Sequence, residues 1–402
     1  MSTKRVLLHV GTPKTGTSYF QEVLFRNRAL LAKSGILYPA ERFDAHFLAA
    51  LDLMRMPWGG LEQEAVGAWD ALAEQVRAWD GTAIISHEIL ATASRPQVER
   101  ALASLGLGDG TEIHLVLSVR DLARQIPAEW QENIKHRRTF KYARYLEQIM
   151  DPDRTSRAAS WFWGVQELPD ILDRWGSDLP PSHVHLVTVP RKGAKSNLLW
   201  ERFSEVFGLG GIDLDLDVER SNPSMGAAET ALLRRINLLA NKVLDPVDYR
   251  PLVRELLAHQ TLSQRSGSPR LTLPPAVHTW ATELATSWVE DLEKREYDVV
   301  GDLGDLLPGP PFKHFADPDK PALSQVNNAA IDVISALLVE NARLRQTAED
   351  RSSELSEARA ALSATFRAKV RETAVRRLDK TVTGQRALNA YRRSRHQRDD
   401  LP

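Results

Sequence analysis

The stretch LLHVGTPKTGTSYFQ, residues 7–21, runs from apolar residues through a glycine-rich loop into helical spacing. Residues 6–10 form a short apolar run that suits a buried strand, and Phe20, Val23, Leu24, Asn27 and Leu31 recur at helical intervals, so the unit reads strand, loop, helix. Further strand-like runs lie at 83–86 (AIIS), 112–119 (EIHLVLSV) and 184–189 (VHLVTV), with helical patterns over 122–135 and 197–207. Alternation of this kind predicts an α/β fold, a P-loop-like three-layer architecture with a central, mainly parallel sheet flanked by helices. From Ala227 onward the pattern is helical only, over 229–243, 249–259 and 276–295.

The loop itself has the chemistry of an anion site. Gly11 and Gly16 are five positions apart, as in G-x-x-x-x-G-K-[ST], but Thr17 stands where that motif has lysine, and Lys14 lies inside the loop. A glycine-rich turn feeding a helix gathers backbone N–H groups around one point and adds the positive end of the helix dipole. Thr15, Thr17 and Ser18 offer hydroxyls, and Lys14 offers a point charge.

HVGTPKTGTSYFQ resembles the 5′-phosphosulfate loop of sulfotransferases that use 3′-phosphoadenosine 5′-phosphosulfate (PAPS), written roughly P-K-[ST]-G-T-[ST]. The resemblance is closest to the bacterial and carbohydrate-type branch and covers roughly residues 1–310. It implies that the loop Gly11, Thr12, Pro13, Lys14, Thr15, Gly16, Thr17 and Ser18 holds the 5′-phosphosulfate, with Lys14 as the catalytic cation. Tyr19 falls where cytosolic members carry an aromatic against adenine. The family's second signature is an arginine at a strand end with a serine eight residues on, both on the 3′-phosphate. HLVLSVRDLARQIPAEWQ places Arg120 accordingly, but Ala128 replaces the serine, and Arg124, Gln125 or Gln131 are the nearby polar substitutes.

Sulfuryl transfer needs a base for the acceptor hydroxyl. ISHEIL, residues 85–90, puts His87 and Glu88 at the carboxyl edge of the sheet, where ligands of open α/β sheets bind. Carbohydrate sulfotransferases are similar in using a glutamate after the corresponding strand, so Glu88 is the first candidate and His87 the second. His46, ahead of an apolar helix, is a candidate for the acceptor pocket. Trp161 and Trp163, after an expected loop at 151–160, are candidates for an acceptor-side lid. Arg191, Lys192 and Gly193 echo a family R-K-G, but in the wrong chain order, and Ser221 to Ser224 read as a plain loop, with approach to the cofactor as the lesser alternative.

These observations favour transfer of a sulfuryl group from PAPS to a hydroxyl or amine of a carbohydrate, glycolipid or small-molecule acceptor, with no metal. A P-loop-type kinase is the neighbouring alternative, but it needs an acidic strand end for Mg²⁺, and no apolar run here ends cleanly in Asp. A catalytically inactive nucleotide-binding assembly protein is the alternative outside enzymes.

The chain of 402 residues has no cysteine, which excludes disulfides and thiolate chemistry, and no run approaches a membrane span; the expected location is cytoplasmic. Residues 1–307 read as the α/β domain, 308–323 as a proline-rich linker and 324–402 as a helical extension. Ile334, Leu337, Asn341, Leu344, Ala348, Leu355, Ala358 and Leu362 follow three-and-four spacing, a coiled-coil seam suited to a homodimer, interrupted by Arg351. A helix packing back on the domain is the alternative. Between Arg367 and Arg398 eleven Lys or Arg face only Glu372 and Asp379, leaving residues 1–366 net acidic. That tail suits docking on the acidic domain or peripheral contact with an anionic membrane; nucleic acid is not favoured.

Overall fold

The computed structural model describes residues 4–217 and 224–399. Among these, β1 (Lys4–His9), β2 (Ile36–Leu37), β3 (Thr82–Ser86), β4 (Thr111–Val119), β5 (Val184–Thr188) and β6 (Asp298–Val300) form one sheet in the order β2-β3-β1-β4-β5-β6. All five pairings are parallel, with Leu8 beside Ile85 on one side and Leu115 on the other. Parallel strands need crossovers, and the helices that supply them cover both faces.

Alternation along the strands divides the apolar side chains between two cores. Val6, Leu8, Ile113, Leu115, Leu117 and Val119 face one, together with helices α2 (Ala45–Met54), α3 (Leu122–Lys135) and α4 (Arg157–Gln166), which bring in Leu51, Trp130 and Phe162. Leu7, Ile84, Val116 and Val187 face the other, under α1 (Thr17–Arg26) and α5 (Leu198–Val206). There Phe20 lies 4.6 Å from Phe203 and 4.5 Å from Phe207 between ring centroids. Each fully buried phenyl ring contributes up to about 3 kcal/mol of transfer free energy.

One polar group sits inside this second core. His9, wholly buried and edge-on to Phe20, Phe203 and Phe207, has Nδ1 2.8 Å from Ser86 Oγ and Nε2 3.0 Å from Ser118 Oγ. The imidazole thus ties the ends of β3, β1 and β4 together. Burial lowers its pKa to about 4, so it is neutral.

The strands expected from the sequence are present, and two more, β2 and β6, have two and three residues, too few to show alternation. Strands therefore do not stop at Ala227: β6 returns to the sheet edge after the helices Ala227–Val243 and Pro275–Leu292. The helical pattern at 249–259 corresponds to a π-helix, Arg250–Thr261, behind a single turn at Pro246–Tyr249.

The proline-rich stretch is held against this unit. The Asp319 carboxylate accepts from the backbone N–H groups of Tyr142 (3.0 Å) and Ala143 (2.9 Å) at the start of the helix Tyr142–Met150, and Phe315 packs on the first core. Helix α6 (Leu323–Leu378) begins here, with Val326, Ala329 and Val333 buried, and the compact unit closes at Val333. The second unit, from Ile334, consists of the rest of α6 and α7 (Val382–Asp399); Ile334, Leu337, Leu344, Leu355 and Leu362 are exposed along it. Among the described residues no helix is long and apolar enough to cross a membrane.

Candidate active site

After β1 the chain builds β2 and β3 on one side, then crosses to β4 on the other, so β1 lies at the switch point and the crevice opens beyond its carboxyl end. The loop 10–16, the pair His87–Glu88 after β3 and Arg120 after β4 all meet there.

The loop is bent by positive φ at Gly11 (117°), Lys14 (65°) and Gly16 (92°). Ser118 pins it from below: its N–H donates to Gly11 O (2.6 Å), its carbonyl accepts from Thr12 N–H (2.8 Å), and its Oγ is 2.5 Å from Thr15 Oγ1. Thr15 also donates to Thr12 O at 2.6 Å, and Thr12 Oγ1 to Ser118 O at 3.2 Å. Both threonines are buried. The Thr15 hydroxyl, which the sequence offers as a phosphate donor, is here engaged in holding the loop's shape. Pro13 contributes its carbonyl, which accepts from Gln125 and, at 3.5 Å, from Gln166. The first bond of α1 runs from Phe20 N–H to Gly16 O, so the N–H groups of Thr17, Ser18 and Tyr19 lack intrahelical acceptors and define an anion-ready helix start. Ser18 is exposed, and Tyr19 is half-buried with its ring edge-on to Trp200 at 6.2 Å.

Lys14 projects toward α3, where Nζ stands 2.5 Å from Glu132 Oε2. Glu132 also has His136 Nε2 at 3.2 Å, Arg254 Nη2 at 3.4 Å and Lys135 Nζ at 3.9 Å. Burial opposes its ionisation, but Lys14, His136 and Lys135 outweigh it and hold the carboxyl well below the usual range. One turn earlier Glu129, only 3% exposed, has Oε1 3.3 Å from Gln166 Nε2. Here burial wins: it pushes the carboxyl up to about 7 against the pull of Lys14, with Glu132 and Glu88 adding to the rise. Glu129, Glu132 and His136 are not singled out in the sequence, yet with Gln125 their spacing of four, three and four marks one polar stripe on a helix otherwise built from Leu122, Ile126, Trp130 and Ile134.

Glu88 is half-buried, and its Oε2 accepts from Gln21 Nε2 at 3.1 Å. Its backbone lies against the loop so closely that a methyl group at Gly11 would come within 3.0 Å of Glu88 O and 3.2 Å of its Cα. Burial raises this carboxyl, but His87, its own backbone N–H, Gln21 and Lys14 together outweigh that and lower it below the usual value. His87 accepts from Ile89 N–H at Nδ1 (3.3 Å), which leaves the proton of the neutral ring on Nε2. In that tautomer His87 is a donor at Nε2, whereas the Glu88 carboxylate is an acceptor.

His46 is not free to line an acceptor pocket. It is 3% exposed, accepts from Ser86 N–H at Nδ1 (3.1 Å) and donates from Nε2 to Pro39 O (3.2 Å), and burial lowers its pKa to about 4. It fixes the end of β3. Trp163 is likewise core: its Nε1 donates to Ile149 O at 2.9 Å, and the Arg154 guanidinium lies 4.2 Å over its ring. Residues 161–163 belong to α4 and not to a loop lid. Trp161 is half-buried, 6.0 Å from Trp58, which is 5.5 Å from Phe47 and 6.2 Å from His136; Phe47 in turn is 5.1 Å from His87. Phe47, Trp58 and Trp161 thus form an aromatic wall between the two histidines.

Arg120 is placed as expected. Nη1 donates to Lys14 O at 2.9 Å, while Nε is buried with no partner among the described residues. Burial, then Arg124, lowers its pKa to about 10, which leaves it charged at neutral pH. The three side chains that the sequence offers in place of the hydroxyl missing at Ala128 are all engaged elsewhere. Arg124 is held by Asp121 and the carbonyls of Pro190 (2.9 Å) and Val189 (3.3 Å), Gln125 by Pro13 O, and Gln131 by Met225 O (2.8 Å) and Thr230 Oγ1 (3.1 Å). Arg191 reaches Gly304 O, and Ser221 to Pro223 lie outside the described residues. Comparison of the chain with protein-family models, curated proteins and solved structures finds no match.

Proposed function

We propose that this protein is a PAPS-dependent sulfotransferase on a P-loop-like α/β fold, acting on a hydroxyl of a carbohydrate or similar small acceptor. The observation that carries the reading is the seating of Glu88 against Gly11: one carboxylate, aimed by Gln21, stands beside a phosphate-type loop bearing Lys14. In this reading Glu88 takes the acceptor proton as the oxygen attacks sulfur, and the bond from sulfur to the bridging oxygen breaks, releasing 3′-phosphoadenosine 5′-phosphate (PAP). Lys14 and the N–H groups at the start of α1 offset the charge that grows on the departing phosphate. Arg120, with its unpartnered Nε, receives the 3′-phosphate, and the wall of Phe47, Trp58 and Trp161 receives the acceptor.

The test is transfer of radiolabelled sulfate from PAPS to a panel of sugar and phenolic hydroxyls, together with PAP binding by calorimetry. Lys14→Ala should cost about 10²- to 10³-fold in rate. Mg²⁺-dependent ATP turnover with no PAP binding would replace this reading by a kinase.

We also propose that the seam on α6 pairs two chains. Ile334, Leu337, Leu344, Leu355 and Leu362 recur at coiled-coil spacing, and all are exposed in the single chain. Light scattering should give a dimer for the full chain, and a monomer when Leu337 and Leu344 are both replaced by Lys; a monomeric full chain would refute it.

A further inference from the structure

At the opposite edge of the sheet, where the strands begin, Glu112 and His114 alternate on β4, His183 ends the turn Pro181–His183 before β5, and His185 pairs with Asp298 across β5 and β6. Hydrogen bonding fixes the protons here. Asp298 Oδ2 lies 2.6 Å from His185 Nδ1, so as a carboxylate it accepts, His185 donates, and in the neutral ring His185 Nε2 is an acceptor. His114 Nδ1, 2.7 Å from that Nε2, must donate to it. The lone pair of His114 Nε2 is then turned on Glu112 Oε1 at 2.6 Å. Two acceptors that close repel unless a cation joins them. His183 Nε2 is 3.8 Å from the same oxygen, and ligand atoms of Glu112, His114 and His183 all lie within 4.8 Å of one another. Tetrahedral Zn²⁺, at about 2.0–2.2 Å from each ligand, spaces its ligands roughly 3.4 Å apart, so Glu112 Oε1 and His114 Nε2 must open from 2.6 Å, and His183 Nε2 close in from 3.8 Å, to take up the ion.

We propose that Glu112, His114 and His183 bind a divalent transition-metal ion, with Zn²⁺ the best match to two imidazoles and one carboxylate. His185, itself held by Asp298, keeps His114 in the tautomer whose Nε2 ligates. The three ligand side chains are 25%, 10% and 26% exposed, which admits the ion and a water in the fourth position. Arg5, 3.5 Å from Glu112, balances part of the carboxylate charge. His114 is about 20 Å along β4 from Arg120 at roughly 3.3 Å per residue, so the ion is structural. It clips the starts of β4 and β5 and, through His185, steadies the three-residue edge strand β6.

The full untagged chain, stripped with chelator, is dialysed against Zn²⁺ and its metal content measured, with Co²⁺ as a spectroscopic probe. One ion per chain is expected, with a tetrahedral Co²⁺ spectrum in the visible and a melting temperature raised by several degrees. His183→Ala, in an exposed turn, should weaken uptake at least tenfold, and Asp298→Asn about tenfold through loss of the tautomer lock, both with PAP binding unchanged. No uptake at about 100 µM Zn²⁺, a concentration that fills any site of micromolar affinity, would overturn the proposal and leave a proton on His114 as the bridging cation. Uptake that Glu112→Gln and His183→Ala leave undiminished would equally overturn it.

Discussion

Lys14 Nζ and Glu132 Oε2 stand 2.5 Å apart, so the loop lysine is held by a carboxylate that reaches it from α3. The same carboxylate balances His136, Arg254 and Lys135. Glu132→Gln would leave those cations uncompensated. The melting temperature should fall, and PAP affinity at low salt should rise roughly tenfold, because a like charge near the anion site has gone. Unchanged PAP affinity in calorimetry would mean that Lys14 and its neighbours do not face the cofactor.

Under the proposed mechanism, Glu88→Gln keeps the shape of the base and the contact with Gln21 but removes its proton affinity. Transfer should drop about 10²- to 10⁴-fold with PAP binding preserved. Since the Glu88 carboxyl lies below the usual carboxylate value, it stays ionised on mild acidification, and kcat/KM for the intact protein should hold from neutrality to about pH 5. A rate that falls already between about pH 7 and 6 would point to an imidazole as the base.

Glu129 carries the opposite sign. Its folded pKa of about 7 exceeds the unfolded value of 4.5, so the folded chain holds the extra proton between those values, and stability declines as pH rises through that window. Above it the full penalty applies, on the order of 3 kcal/mol for this buried group. Glu129→Gln should therefore stabilise the protein at pH 8, with the gain vanishing near pH 4. Urea unfolding at the two pH values measures it; an equal effect at both would remove burial of the charge as the cause.

Ala128→Ser restores a hydroxyl at the eighth position beyond Arg120, on the accessible side of α3. One added hydrogen bond of about 1 kcal/mol predicts roughly fivefold tighter PAP binding. Adenosine 5′-phosphosulfate, which lacks the 3′-phosphate, should bind as before. Equal tightening of both ligands would place the 3′-phosphate elsewhere.

Legibility in the sequence followed the physics of each element. Residues 6–10 and 112–119 are mainly apolar runs of five and eight residues with both faces buried, and their strand character is plain; Ile36–Leu37 and Asp298–Val300 are pairing partners too short to carry a period of their own. Backbone-determined site positions, Gly11, Gly16, Glu88 and Arg120, were readable because each follows the end of a strand or opens a helix. Side-chain partners were not. Whether a threonine hydroxyl turns outward or, like that of Thr15, down to Ser118 depends on a strand about a hundred residues away. His46 and His87 look alike in sequence, and only the carbonyl of Pro39 and the N–H of Ser86 separate a filled imidazole from a half-free one.

Asp319 also sets a practical limit on how this protein can be divided. A fragment ending where the prolines begin, near residue 307, would strip the carboxylate from the N–H groups of Tyr142 and Ala143 and open the ground beneath Phe315. A fragment ending after Val333 keeps the helix cap, the buried Val326, Ala329 and Val333, and the ion pair of Arg265 with Asp332. For crystallisation or for enzymology without the helical tail, the cut belongs inside α6 and not at its proline-rich approach.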